Sequence, residues 1–283
     1  MKSMHFDDPV LQFFTKKAEE KIGFLLGPEK TYLIEARLRA VAIKENFSDW
    51  VALLKFLNQN PDSPIHELAY ESLATHETMF FRDDFHFNYL IKEIIPKIIH
   101  KNKLEKIINI WSAGVSSGQE AYSLSILLHA HFPQLSSWEI NIHATDFSNH
   151  ILEKAISGIY SQIEVSKGLS DQYIDQYFLQ TTNQQYQIKD EFKKNIDFYQ
   201  LNLIGDWPKF PSFDLVLMRN VLIYLSPRKR KDIIKKTFDA MNSTGGYFFM
   251  GGSESLLEQN PFETIQLNRG ICFFKKPNFS IIS

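Results

Sequence analysis

A chain of 283 residues is long enough for one large domain plus a smaller one, with a proper buried core. Its 44% hydrophobic and 23% charged residues and formal charge of −2 describe a globular protein and argue against a nucleic-acid binder, which carries a basic excess. The single cysteine, Cys272 in the apolar run GICFFKK, excludes an intramolecular disulfide and reads as a buried thiol. No Cys/His grouping has metal spacing, so no metal is expected. No signal-peptide pattern and no apolar run near the ~20 residues of a membrane span is present, so a cytoplasmic protein without membrane insertion is expected.

The first ~80 residues read as helices only. Asp7-Asp8-Pro9 is a cap followed by proline at the first helical position, with Leu11, Phe14, Ala18 and Ile22 on one face. Gly27-Pro28 ends that helix and starts a second, in which Leu33, Ala36, Ala40 and Ile43 are expected to form the buried seam. Lys30, Arg37 and Lys44 align as a basic stripe beside that seam, with Arg39 elsewhere on the helix. A solvated face is the simplest account of such a stripe. Ser48 caps a third helix through Leu57, and Ser63-Pro64 opens a fourth. Thr75–Arg82, THETMFFR, then precedes a long helix over Asp84–His100. Phe80 and Phe81 would plug apolar surface. Arg82 is either a capping or surface residue, or a guanidinium held in a pocket to grip a carboxylate.

From about residue 104 the pattern alternates. Strands are expected at Lys106–Trp111, Glu139–Ala144, Ile196–Gln200, Phe213–Leu217, Gly246–Met250 and Gly270–Lys275. Helices are expected at Gln119–His131, Asn149–Ser157 and Pro227–Met241. Strands alternating with helices imply a mostly parallel sheet covered on both faces, an α/β fold. No long helix separates the last two strands, which predicts an antiparallel edge pair. Between Gly158 and Asn195 the alternation lapses. Tyr173–Phe178 looks helical and Tyr186–Phe192 alternates weakly, which suits a small inserted β-ribbon.

The carboxyl ends of the strands are where a doubly wound sheet binds ligands. The first delivers the small-residue turn Ser112–Gly118 and then Glu120 in the opening turn of a helix. The second ends at Thr145-Asp146, a carboxylate placed for ribose hydroxyls. The third ends at Leu201-Asn202-Leu203, an amide and an apolar wall for a base, and the fourth at Met218-Arg219-Asn220. Each has a plainer account: Asp146 as a helix cap, Asn202 as a turn residue, the first turn as an ordinary connection. That all four tips are polar favours a cofactor. The turn is not G-x-G-x-x-G or G-x-x-x-x-G-K-[ST], and Glu120 would repel a pyrophosphate. A cationic, phosphate-free cofactor fits better, and S-adenosylmethionine is the common one.

WSAGVSSGQEAYSLSILL, ATDFSNHILEKAISGIYS, FDLVLMRNVLIYLS and GGYFFMGGSESL, together with THETMFFR, resemble the CheR chemoreceptor glutamate methyltransferases over almost the whole chain. The resemblance implies a Rossmann-like S-adenosylmethionine-dependent methyltransferase fold over residues 83–283. It also implies a helical domain over 1–82 and a small β-subdomain inserted at about 158–195. The implied reaction is esterification of glutamate side chains on the cytoplasmic helices of methyl-accepting chemoreceptors, by a monomer, with S-adenosylhomocysteine as product.

By position, Thr78 and Arg82 would contact the amino acid part of the cofactor. Glu120 and Asp146 would bind its polar groups, with Asp146 on the ribose. Asn202 and Leu203 would frame the adenine, and Arg219 and Asn220 would complete the pocket. Tyr224, with Arg82, would sit near the transferring methyl and the incoming carboxylate. His76 stands where the family usually has Asn. Arg37 and Arg39, on a helix similar to the family's basic one, become candidates for steering acidic receptor helices. The loop Leu179–Ile188 is short and has no glycine, unlike that of members that dock on a receptor's C-terminal pentapeptide, so independence of such tethering is expected.

Two competing classes stay in view. Base-amine methyltransferases commonly carry [N/D]-P-P-[Y/F] after the fourth strand, where this chain has Arg219-Asn220-Val221-Leu222. A non-catalytic signalling module would keep the fold, but would not need the polar set at the strand tips.

Overall fold

The computed structural model describes residues 4–252, 254, 256, 260–267 and 271–277, and contacts divide the chain into two compact units. The first comprises 1–75 with 224–232, and the second 76–223 with 233–283.

The first unit is built from α1 (Pro9–Ile22), α2 (Thr31–Lys44), α3 (Trp50–Gln59) and α4 (Ile65–Leu73). Asp8 caps α1 by accepting from Val10 N, and Pro9 occupies the first turn, as its sequence predicts. Asp49, one residue after the expected Ser48, caps α3 through Ala52 N. The seam of α2 is a correction. Its buried residues are Ile34, Leu38, Val41 and Ala42, whereas Ala36 and Ala40 are exposed and Ile43 is 78% exposed. Apolar residues surround this helix on nearly every side, so two 3.6-period stripes fit the sequence and only packing chooses between them. Residues 224–225 belong to this unit through an antiparallel bridge between Phe24 and Leu225, with Leu25 N donating to Tyr224 O.

The second unit starts at His76, so the segment from His76 to Arg82 belongs to it and not to the helical domain drawn to residue 82. Phe80 is fully buried, edge-on to Tyr160 and Phe178, and Phe81 N donates to Ser123 Oγ. The expected long helix is interrupted. α5 (Asp84–Tyr89) and α6 (Ile95–Lys101) are joined through a π-turn over Leu90–Ile94. Pro96 is the second residue of α6; its missing N–H and ring forbid an ordinary α ladder there.

The main sheet then forms from β1 (Ile107–Ala113), β2 (Glu139–Asp146), β6 (Ile196–Gln200), β7 (Leu215–Met218), β8 (Gly246–Met250), β9 (Glu263–Gln266) and β10 (Ile271–Lys275). The first five are mutually parallel, and β10 runs antiparallel to β8. Its spatial order is β6-β2-β1-β7-β8-β10-β9. This is a doubly wound α/β sheet, with strand order reversing between β1 and β7. The edge is β9, not the expected β8–β10 pair; Glu263-Thr264-Ile265-Gln266 is too short and polar to read as a strand. Gly270, the expected start of the last strand, lies outside the described residues.

In chain order the connections between these strands include α7 (Gln119–His131), α8 (Asn149–Ser157) and α11 (Pro227–Ala240). Between α8 and β6 lie β3 (Ile159–Tyr160), α9 (Gln162–Ser166), α10 (Asp171–Tyr177), β4 (Phe178–Gln180) and β5 (Tyr186–Ile188). The three strands form a separate antiparallel sheet ordered β3-β5-β4, the expected ribbon with one more strand. Cys272 is fully buried, and burial pushes its thiol far above the ordinary range, as suits a packing residue. Among the described residues no helix is long and apolar enough to cross a membrane, and no His/Cys/Asp/Glu group could hold a metal.

Candidate active site

The turn after β1 is held from three sides. Gly114 N and Val115 N both donate to Thr145 O, at 2.8 and 2.9 Å, which stitches the turn to the tip of β2. Gly114, Ser116 and Gly118 all take positive φ, at 72°, 54° and 93°. At Gly114 a Cβ would lie 2.3 Å from Val221 Cγ2, so only glycine allows this turn to sit against the loop after β7. From below, Tyr160 Oη donates to Ser117 O and Tyr122 Oη donates to Ala155 O, both at 2.7 Å.

Asp146 ends β2 and is 7% exposed. Oδ2 accepts from Ser116 N at 2.9 Å and Oδ1 from Ser148 N at 3.1 Å. Burial pushes its pKa up, while these two N–H groups and the His76 imidazole pull it back. His76 is tied into the same corner, because its carbonyl accepts from Ser116 Oγ at 3.1 Å. An ionised carboxylate offers about four acceptor sites, more than these N–H groups occupy, so Asp146 keeps acceptor capacity for a ribose hydroxyl.

Glu120, in the first turn of α7, meets Arg219 at the end of β7. Arg219 Nη1 donates to Glu120 Oε2 at 2.9 Å, and Nη2 donates to Asp83 Oδ2 at 2.7 Å and to the Arg82 carbonyl. Ser112 Oγ donates to the other Glu120 oxygen at 2.8 Å. Only 2% of the Arg219 side chain is exposed, and its guanidinium lies 5.7 Å from the Phe87 ring centroid. Two carboxylates around one guanidinium leave a net negative charge beside the turn, which suits a cationic ligand and disfavours a pyrophosphate.

Asn220 takes a left-handed φ of 60° and is fixed by a residue that the sequence reading missed. Glu254 accepts from Asn220 N and Gly251 N at 2.7 Å, and from Ile223 N at 3.2 Å, so one carboxylate shapes the whole loop after β7. The buried Asn220 Oδ1 has no hydrogen-bond partner among the described residues, an acceptor open to an amino or ammonium group. The motif GGSESL carried Glu254 in plain view, yet nothing local in it says that one of its partners, Asn220, lies 34 residues upstream.

After β6, Leu201 N donates to Asp146 O at 2.8 Å, which sets Asn202 and Leu203 beside the tip of β2. Trp207 Nε1 donates to Leu203 O, and its ring lies edge-on to buried Trp111 at 4.9 Å. Thr78 and Arg82 are half-buried on the segment before α5, with Arg82 Nη1 on the Glu77 carbonyl at 2.9 Å. Thus Asp146 and His76 meet at one corner, and Glu120 and Arg219 at another with the Arg82 backbone and Asp83. Tyr224 belongs to the other unit, stacked on Phe24 at 5.5 Å. Arg37 and Arg39 also lie there, half-buried on α2, with Arg39 paired to Glu35.

His86, also missed, is 1% exposed in α5, its ring 4.1 Å from Phe85 and 5.5 Å from Phe249, and neither ring nitrogen has a partner among the described residues. Burial and the Arg219 charge lower its pKa from 6.5 to about 4, against a smaller opposing pull from Asp83. Because the folded pKa lies below the unfolded one, the stability His86 allows above pH 6.5 is lost as pH falls toward 4. Urea unfolding should show a loss of about 2 kcal/mol at pH 5 relative to pH 7 from this group, absent in His86→Phe. An identical pH dependence in the variant would refute the assignment.

Comparison with known proteins adds the chemistry. Residues 76–271 match the family described as CheR methyltransferase, SAM binding domain. The chemotaxis protein methyltransferase Cher2 of Pseudomonas putida is 30% identical over 263 residues, covering 91% of this chain and 94% of that protein. Chemotaxis protein methyltransferase 1 of Vibrio cholerae is 31% identical over 277 residues, covering 96% and 99%. The chemotaxis protein methyltransferase of Borreliella burgdorferi is 32% identical over 253 residues, covering 86% and 87%.

Proposed function

This chain belongs to the CheR family of S-adenosylmethionine-dependent methyltransferases, and on that footing we propose that it esterifies glutamate side chains of methyl-accepting chemotaxis receptors. The observation that carries the reading is Asp146, a buried carboxylate held by two backbone N–H groups beside the glycine-bearing turn after β1. The residues fit the cofactor. Asp146 suits its ribose, the Glu120–Arg219–Asp83 cluster its cationic amino acid end, and Asn202 and Leu203 the adenine. Thr78, Arg82 and Asn220 are assigned to the same amino acid end, with His76 at the Asp146 corner.

When bound, S-adenosylmethionine supplies a methyl group on a sulfonium, open to in-line attack by a carboxylate. A glutamate is already ionised at neutral pH, so no residue of this chain has to accept a proton. What the protein contributes is position and exclusion of water. Arg82 and Tyr224 orient the incoming carboxylate; gripping it too tightly would blunt its nucleophilicity. Tyr224→Phe should therefore slow transfer about ten- to a hundredfold, the worth of one hydrogen bond to a charged group, with cofactor affinity unchanged. A loss of cofactor affinity equal to the loss of rate would place Tyr224 in the binding pocket instead.

Arg37 and Arg39 on α2 steer the acidic receptor helices toward the enzyme. Leu179–Ile188, short and without glycine, supports action without a receptor C-terminal pentapeptide. Calorimetry with such a peptide should give no heat, and micromolar binding would overturn that part. The acceptor assignment is tested with receptors whose methylatable glutamates are replaced by alanine: label from methyl-labelled S-adenosylmethionine should vanish from them. Undiminished labelling would mean a different acceptor.

A further inference from the structure

The first half of α11 reads Pro227-Arg228-Lys229-Arg230-Lys231, four consecutive cations in a protein of net charge −2. They stand at the wrong end of a helix. The N-terminal turn carries the positive end of the macrodipole and favours acids, yet α11 has no acidic residue in its first turn and no basic one in its last. Local rules broken without local compensation point to function.

Five of the six cations of α11 divide into two sets, and Lys229, half-buried, is in neither. Arg230 Nε is turned back onto the Leu225 carbonyl, and Lys236 Nζ onto the Gly205 carbonyl and the Trp207 ring; these serve the fold. Arg228, Lys231 and Lys235 are exposed and, spaced i, i+3 and i+7, lie along one face of the helix. None of these three forms an ion pair among the described residues, although Asp232 stands one turn from Arg228. By chain, the face begins four residues after Tyr224, the residue assigned to the acceptor carboxylate. The same bridge that fixes Tyr224 and Leu225 against Phe24 and Leu25 carries Lys30, whose Nζ donates to the Leu25 carbonyl at 2.7 Å.

We infer that Arg228, Lys231 and Lys235 form a docking face for the acidic helical segment that carries the acceptor glutamates. The inference rests on the glutamate-methylating reading above. Unmodified acceptor glutamates are negatively charged, so their helix complements a cationic face, and such complementarity acts mainly on capture of the partner. Each ester formed removes one charge from the partner, so docking weakens as methylation proceeds.

The test is the full chain carrying Arg228→Glu, Lys231→Glu and Lys235→Glu, assayed on receptor-containing membranes. KM for receptor should rise roughly tenfold or more, and its dependence on salt should flatten. kcat at saturating receptor and the calorimetric S-adenosylmethionine Kd should stay within about twofold, and Tm should not fall, since acids suit that helix end. The neutral triple Gln variant should move KM the same way by less, which guards against misfolding of the Glu variant. An unchanged KM in both variants, with the unaltered chain active, would overturn the docking face and leave the reaction standing. Loss of binding to receptor-free anionic vesicles in step with the rise in KM would also overturn it, by making lipid the partner. If the unaltered chain transfers no methyl to receptors, the underlying reading fails first and takes this inference with it.

Discussion

Arg219→Met is expected to lower folding stability by roughly 3–5 kcal/mol, with a fall in Tm on the order of 10 °C, the cost of removing one partner from a buried ion pair. The side chain is almost fully buried and donates to Glu120, Asp83 and the Arg82 carbonyl at once. Methionine fills much of the volume but leaves two carboxylates facing each other without a cation. Lysine keeps the charge, but its single ammonium cannot reproduce the guanidinium fork, so Arg219→Lys should fall between the two. Adding Glu120→Gln to the methionine variant should recover part of the loss, because the pair is coupled. Thermal unfolding of the four proteins reads this directly. A methionine variant within about 1 kcal/mol of the parent would mean that the cluster is merely a surface pair.

Asp146→Ala carries the largest expected effect on the cofactor. Two hydrogen bonds donated by hydroxyls to a carboxylate are worth about 1.5–3 kcal/mol each, so Kd for S-adenosylmethionine should rise on the order of a hundredfold or more. The substitution also strips Ser116 N and Ser148 N of their acceptor, which loosens the turn from which the pocket is built. Asp146→Asn keeps one acceptor and should lose less. Calorimetric titration of the three proteins discriminates the outcomes, and an Asp146→Ala variant with parental affinity would remove Asp146 from the pocket.

The strand tips were legible because a doubly wound sheet binds ligands beyond the carboxyl ends of its strands. Asp146, Glu120 and Arg219 could be placed from the alternation of strands and helices alone. Their partners could not. Arg219 meets Asp83 across 136 residues of chain, and Asn220 meets Glu254 across 34, distances that no local pattern encodes. His86 was invisible for another reason: in DDFHFNYL it looks like any helical histidine, and only packing against Phe85 and Phe249 reveals a neutral, buried ring. On α2 the failure was one of phase, because Leu33, Ala36, Ala40 and Ile43 fit the helical period as well as the residues that are buried.

The central claim is that the product is a glutamate methyl ester on a receptor. Receptor-containing membranes incubated with this chain and methyl-labelled S-adenosylmethionine should take up label into the receptor band. Mild base should then release it as volatile methanol, as an ester requires. Label that stays on the receptor through the same base treatment would mean an amine or another stable linkage, and would contradict the account.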